Sequence, residues 1–261
     1  RALKDATGPE TLWIKKIDSR LKGPIAAEIS GMSDVLHLKR VLLCPAIPEL
    51  GRFVLHGRLM GAGVAQNLAV ADTVALDLSC SVPDAASDAD LDRLAGSIQP
   101  GTLVAAARGL ASALARRMCP GRMPLSAHLQ QGPVGFVVGS RDPVTLAQVA
   151  LLRGSGGPRF VMAPDGEVAP FIDRGPFLIQ ATEGAGADGH VVSARLAMGV
   201  ARHTSGLKTL VLTGGETAAA VLVTVGIQLL RVQGEVLPGL PLSRAVDQPG
   251  FPDLITKSGG F

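Results

Sequence analysis

Four short stretches hold the residues best suited to chemistry. In the first, Gly214-Gly215-Glu216-Thr217 falls between an apolar β-type run (Leu210, Val211, Leu212) and a helix-forming run. A Gly-Gly turn at such a junction aims free backbone N–H groups and the positive end of a helix at one point, which suits an anion such as a nucleotide phosphate. The glycines keep side chains out of the way and Thr217 adds a hydroxyl. Taken alone, the motif reads equally well as a plain tight turn. A second stretch, Gly139-Ser140-Arg141-Asp142-Pro143, also ends a strand, with Ser140 set to hydrogen-bond a ligand and Pro143 opening a helix. By itself it is an ordinary capped loop. Ser258-Gly259-Gly260 is the third, small enough to close over a nucleotide, although glycine near a chain end more often frays. The fourth runs from Lys15 to Gly23 and gathers Lys15, Lys16, Arg20 and Lys22 around Asp18 and Ser19. Cations concentrated at a strand end match a carboxylate substrate, against the simpler reading of a solvated loop.

The elements that must hold these stretches follow from apolar periodicity. Strands are expected over 12–17 and 40–43, with a helix over 24–36 whose stripe is Ile25, Ile29, Met32 and Leu36. A hairpin turning at Gly57 is expected over 51–60, no firm signal over 61–72, and a strand over 74–78. A helix over 87–94 starts with a Ser-x-x-Asp cap, followed by a strand over 102–106 and a helix over 109–118. Residues 119–132 carry two prolines and two glycines with little periodicity and are read as the boundary, giving domains 1–125 and 126–261. Alternation then resumes with strands over 134–139, 159–162, 177–180, 229–232 and 254–257, and helices over 143–152 and 190–203. The fold class expected is α/β: two domains, each a mainly parallel sheet flanked by helices, with a cleft between them.

With 47% hydrophobic and 18% charged residues, 261 residues can bury two ordinary cores. The longest apolar stretch, 218–230, is too short to span a bilayer, so no membrane partner is expected. A net charge of +3 on scattered basic residues gives no nucleic-acid surface. Cys44, Cys80 and Cys119 are odd in number and lack any C-x-x-C pairing, which fits a reducing cytoplasm better than a disulfide or zinc framework. His37, His56, His128, His190 and His203 show no metal-ligand spacing. The chain opens on Arg1, and further residues are expected before it.

Set in series, these segments resemble the four-carbon acid sugar kinases, a two-domain family, over nearly the whole chain. The resemblance rests on Lys15-Lys16-Ile17-Asp18-Ser19 with Leu21 and Gly23, Cys44-Pro45-Ala46 with Pro48 and Gly51-Arg52, and Asp84-Ala85 with Asp88, Asp90 and Leu91. In the second half it rests on Gly139-Ser140 with Pro143, Thr145 and Gln148, Gly214-Gly215-Glu216-Thr217-Ala218, Gly234-Glu235 with Pro238-Gly239, and Thr256-Lys257-Ser258-Gly259-Gly260-Phe261. It implies an ATP-dependent kinase acting on the terminal hydroxyl of a sugar acid such as threonate, erythronate or 3-oxo-tetronate. Carried over by position, Ser140, Gly214, Gly215, Glu216, Thr217, Gly259 and Gly260 contact ATP, while Lys16, Asp18, Ser19 and Lys22 face the substrate, with Asp18 catalytic. Magnesium bridges the phosphates, its protein ligands unassigned, and a homodimer is compatible with the resemblance.

The chain departs from the family in lacking an Asp-Asp-x-Thr-Gly motif before Leu12, so that element is expected outside these residues. Arg20 and Lys22 stand where the family often has Thr and Arg, which alters the carboxylate clamp. Two other classes remain open at this point. A non-catalytic ligand-binding relative is favoured only by the missing motif, and a sugar-acid dehydrogenase lacks its dinucleotide fingerprint here.

Overall fold

The computed structural model describes residues 8, 11–64, 68–74, 78–123, 125–172 and 175–260. The chain divides into two compact units, Arg1–Arg122 and Met123–Phe261. Both are α/β, as the alternation predicts.

In the first unit, β1 (Trp13–Lys16), α1 (Ile25–Leu36) and β2 (Arg40–Cys44) form the expected β-α-β opening. Helix α1 buries Ile25 and Ile29, one turn apart, and packs Met32 against the same core. It stops where His37 turns left-handed (φ 55°) and its N–H bonds Ser33 O. Strands β6 (Ser79–Ser81) and β7 (Thr102–Ala106) complete a parallel sheet in the order β1-β7-β2-β6. Val41–Cys44 of β2 and Leu103–Ala106 of β7 are wholly buried, the pattern of central parallel strands covered on both faces. The hairpin of β3 (Arg52–Leu55) and β4 (Arg58–Gly61) turns at His56-Gly57, both left-handed (φ 50° and 70°), and β5 (Leu68–Ala69) pairs with β4.

Of the strand expected over 74–78, only Val74 and Leu78 are described, and neither lies in a strand. Val74 ends a short helix, α2 (Val70–Val74), with Val70 and Val74 buried, and residues 75–77 lie outside the described residues. The strand is instead Ser79–Ser81, because pairing with Arg40, Val41 and Leu42 of β2 overrides local apolar content. The remaining helices, α3 (Asp88–Ser97) and α4 (Arg108–Met118), match expectation within a few residues.

The second unit holds β8 (Val134–Val138), α5 (Pro143–Gly154), β9 (Arg159–Pro164), β10 (Phe177–Thr182), α6 (Gly189–Ala201), β11 (Thr209–Thr213), α7 (Gly215–Thr224), β12 (Leu230–Leu237), β13 (Leu240–Ala245) and β14 (Asp253–Lys257). Its seven-stranded sheet runs β12-β13-β14-β11-β8-β10-β9, parallel from β14 to β9. The expected strand over 229–232 is one arm of an antiparallel hairpin that turns at Pro238-Gly239, and β13 went unread. Two register shifts break the alternation in β12. At one of them, a Cβ on Gly234 would lie 2.3 Å from Leu125 O, because the segment 125–127 pairs alongside through Ala127 N to Glu235 O and Glu235 N to Leu125 O, both 2.8 Å.

From β8 the chain passes to β9 and β10 on one side, whereas from β11 it passes to β14 on the other. The carboxyl ends of β8 and β11 are therefore neighbours where connections diverge, the place an open α/β sheet offers a ligand. Among the described residues no helix is long and apolar enough to cross a membrane.

The start of α3 gives a direct test of local reading. Ser87 Oγ accepts from Asp90 N (3.2 Å), and Asp90 Oδ2 accepts from Ser87 N (2.8 Å) and Ala86 N (3.0 Å). The Ser87 hydroxyl and then the Ala86 N–H hold the Asp90 carboxyl below its usual pKa. Replacing Ser87 with Ala is expected to cost about 1 kcal/mol of α3 stability, and replacing it with Gly only a few tenths, read by hydrogen exchange of α3 amides. Because the Asp90 pKa is depressed on folding, its contribution is present at neutral pH and fades as pH falls through that pKa, so acidification should loosen α3 in the native protein.

Candidate functional site

In the second unit the three glycine-containing stretches meet at the switch point. Gly139 follows β8 so closely against α7 that a Cβ there would lie 2.0 Å from Thr217 Oγ1. Thr217 itself is buried, 3% exposed, in the first turn of α7. Gly214 takes a left-handed backbone (φ 104°), its N–H donates to Lys257 O (2.9 Å), and its missing side chain faces Thr217 Oγ1 and the Ser140 backbone. On the other flank, a Cβ on Gly259 would meet Ser140 Oγ at 2.1 Å. Ser140, Gly214, Thr217 and Gly259 are thus brought together. Gly260 is buried next to Gly259 in the chain.

No side chain caps α7, so its leading N–H groups point out of the helix start with only glycine before them. A Cβ on Gly215 would have nothing within 4 Å, so the approach to these donors is open. Glu216, also expected here, places a carboxylate oxygen 2.7 Å from His190 Nδ1 of α6. The arrangement is a backbone cradle for an anion, set at a positive helix end.

Sequence reasoning missed three residues of this loop cluster. Asp142 caps α5 by accepting from Val144 N (3.2 Å). Thr145 is buried and donates to Gly259 O (2.6 Å), fixing the terminal loop to α5. Lys257 brings its ammonium to Thr145 Oγ1 (3.5 Å) and Ser258 O (3.1 Å), and desolvation lowers its pKa while Asp142 opposes the shift. Their signal lies in the spacing Pro143-x-Thr145 and in Thr256-Lys257-Ser258.

In the first unit the chain leaves β1 in a tight turn. Asp18 Oδ1 accepts from Arg20 N (2.8 Å) and Lys22 N (3.3 Å), an Asx-type turn that leaves Leu21 left-handed (φ 59°). Both bonds fall on one carboxylate oxygen. Lys16 turns its ammonium back onto Ile17 O (2.7 Å). Although Lys16 as a whole remains exposed, desolvation lowers its pKa, with Asp18 pulling the other way and Lys15 adding to the lowering. Lys15 is engaged elsewhere, by Glu28 of α1 (2.8 Å).

Ser19 does not face outward with its neighbours. It is buried, and its Oγ accepts from Arg52 Nη1 (2.8 Å), while Arg52 Nε donates to Ala62 O (2.8 Å). Arg52, 7% exposed, opens β3 and ties the hairpin to the turn. At Gly63, a Cβ would find Arg20 Nη1 at 3.4 Å and Arg52 Nη2 at 3.5 Å, so two guanidinium groups converge on one glycine. The sequence groups Arg20 with the cationic stretch but gives Arg52 only as part of the Gly51-Arg52 segment. Only the hairpin pairing brings position 52 beside position 19.

A two-unit α/β protein with a backbone anion cradle in one unit and a cationic turn in the other defines the class. Residues 1–77 match the sugar-binding N-terminal domain family and residues 173–261 the nucleotide-binding C-terminal domain family. A D-threonate kinase of Cupriavidus necator is 30% identical over 321 residues, covering 95% of this chain and 76% of that one. A 3-oxo-tetronate kinase of Methylobacterium radiotolerans is 29% identical over 213 residues, covering 69% of this chain and 50% of that protein. The fold is shared with a crystal structure of a Haemophilus influenzae protein (TM-score 0.61, 19% identity, 98% of this chain and 80% of that chain). The chain belongs to the four-carbon acid sugar kinase family.

The Gly139 contact yields a paired test. Gly139→Ala is expected to cost about 1–3 kcal/mol or displace the start of α7, since the added carbon lands on Thr217 Oγ1. Combining it with Thr217→Ala should return part of that loss in thermal unfolding, a recovery that two independent sites would not show.

Proposed function

We propose that this protein is an ATP-dependent kinase that phosphorylates the terminal hydroxyl of a four-carbon sugar acid, threonate, erythronate or 3-oxo-tetronate. The observation that carries the reading is the glycine cradle at the switch point, where Cβ atoms on Gly139 and Gly259 would fall about 2 Å from Thr217 and Ser140 and where α7 begins without a side-chain cap. Such a site favours a polyphosphate over any ligand that needs side-chain readout. Bound there, ATP supplies the transferred phosphoryl group.

In this reading Gly214, Gly215, Glu216 and Thr217 hold the phosphates through backbone N–H groups and the Thr217 hydroxyl, while Ser140, Gly259 and Gly260 close the other flank. Lys257, half-buried beside them, offsets phosphate charge. Magnesium would come in with the nucleotide's phosphates and offset their charge. The nucleotide-binding C-terminal and sugar-binding N-terminal family matches support the same division of labour.

Lys16 and Lys22 attract the sugar-acid carboxylate, with the Arg20 and Arg52 guanidinium groups nearby, and Asp18 orients the reacting hydroxyl with the oxygen its turn does not use. Ser19 acts from behind, through Arg52. The catalytic contribution is positioning and charge compensation, since phosphoryl transfer asks little covalent chemistry of a protein. The sugar's hydroxyl oxygen takes the γ-phosphoryl group as that group's bond to ADP breaks and the hydroxyl proton is released, a change of charge that a carboxylate such as Asp18 at the acceptor side accommodates.

Two substitutions separate the roles. Asp18→Asn keeps an oxygen for Arg20 N and Lys22 N, so the turn should survive while turnover drops at least about a hundredfold with ATP affinity nearly unchanged. Steady-state kinetics against a panel of C4 sugar acids checks this, and equal loss of both parameters would contradict the assignment. Thr217→Val keeps the shape but deletes the hydroxyl. It is expected to raise the KM for ATP by about five- to tenfold with little change in the KM for the sugar acid, as befits one lost hydrogen bond to a charged group. An unchanged ATP requirement would remove Thr217 from the nucleotide site.

A further inference from the structure

At the opposite end of the same strands lies a cavity of about 600 Å³ that the nucleotide site does not use. It is lined by Lys208, which precedes β11, by Arg231 of β12 and Arg244 of β13, and by Asp253, which opens β14, with Gln130 and Gln233 beside them. The nucleotide loops follow Thr213 and Lys257, at the far ends of β11 and β14, roughly 13 Å away by strand rise.

The charges in this cavity do not balance. Arg231 and Arg244 stand directly opposite each other across the β12–β13 pair, a like-charge arrangement that destabilises a sheet. Asp253, 4% exposed, answers only one of them. Its Oδ1 accepts from Arg244 Nε (2.9 Å) and its Oδ2 from Gln130 Nε2 (3.2 Å). Among the described residues neither Arg231 nor Lys208 has an ion-pair partner.

Lys208 is exposed, but its backbone and stem are fixed in place. Its N–H donates to Pro133 O and its carbonyl accepts from Asp253 N, both at 2.9 Å. Its stem lies across Gly132, where a Cβ would come within 2.4 Å of Lys208 Cγ. A buried carboxylate that orients one arginine, a second arginine set against the first, and an exposed lysine whose stem crosses Gly132 line one cavity with an excess of positive charge. Amide side chains line it too, suited to the oxygens of a polyatomic anion.

We propose that this cavity binds a compact anion of at least two negative charges, carried by a phosphate ester or a polycarboxylate, at a site separate from the nucleotide. Arg231 and Lys208 supply the attraction, and Arg244, held by Asp253, orients the ligand. An anion between Arg231 and Arg244 offsets the repulsion that the sheet otherwise tolerates.

The test uses the full chain with its nucleotide site filled by a non-hydrolysable ATP analogue. Inorganic phosphate and citrate are titrated separately by calorimetry, for the protein as it stands and for a Lys208→Gln/Arg231→Gln double variant. At least one anion should bind saturably, and the double variant should weaken it by about tenfold or more while its circular dichroism stays unchanged. Binding of phosphate alone assigns a phosphate ester, and binding of citrate alone a polycarboxylate. If neither anion saturates, or if binding is as tight in the double variant, the proposal is overturned. Should the double variant fail to fold, Arg231→Gln alone, on an exposed side chain, carries the same comparison with a smaller expected loss.

Discussion

The contact between the end of β8 and the first turn of α7 governs the second unit. A strand can run this close to a helix start only where no Cβ intervenes, and Gly139 provides that gap against Thr217 Oγ1. Once α7 is drawn in, Gly214 must turn left-handed to enter it, and its N–H anchors on Lys257 O. That bond fixes the end of β14, which delivers Gly259 over Ser140, and Thr145 locks the same loop from below. Each close approach presupposes the one before it. A pocket wall made this way is backbone on several sides, which is why its polarity comes from N–H groups rather than from side chains.

The first unit solves a related problem with charge. Its turn after β1 has no glycine run at its centre and relies on Asp18 to gather the backbone N–H groups of Arg20 and Lys22. The planar fork of Arg52 spans two acceptors, Ser19 Oγ and Ala62 O, as the point charge of a lysine could not. Burying that cation needs an ordered hairpin, and the hairpin in turn needs the two left-handed residues His56 and Gly57. A short turn far from the cationic loop therefore sets the register that brings Arg52 to Ser19.

This dependence explains what could be read from the sequence. Ser87 with Asp90, Pro143 and the Ile25–Ile29 stripe are local signals, and the elements they mark form where expected. The glycine stretches were legible as candidate sites because the close approaches at Gly139 and Gly259 leave no room for a Cβ. Arg52 was not, since its role exists only after β3 pairs with β4. The strand at Ser79–Ser81 was hidden for the same reason: its residues carry little apolar signal of their own, and pairing with β2 makes them a strand. β13 was hidden because bulges and Gly234 erase the alternation that marks a strand. Lys257 and Thr145 were visible as letters, but the bond from Thr145 to Gly259 joins positions that only the sheet order makes adjacent.

Every residue of β11 is buried, and so are Asp253, Leu254 and Ile255 of β14. Strands so covered have few polar groups to offer a ligand along their length and can present chemistry chiefly at their ends. The two ends are not equivalent. At the carboxyl end a helix begins, so uncapped N–H groups and the helix dipole are available without any charged residue. At the amino end of β11 and β14 charge has to come from side chains, and there Lys208, Arg231 and Arg244 gather about a single carboxylate. Cations of this kind carry a cost in self-repulsion that the backbone cradle avoids, so their persistence beside a cavity calls for a compensating charge. A small anion would meet that demand at one end of the strands, and the nucleotide proposed for the other end would draw on backbone donors instead, so the two would not compete for the same groups.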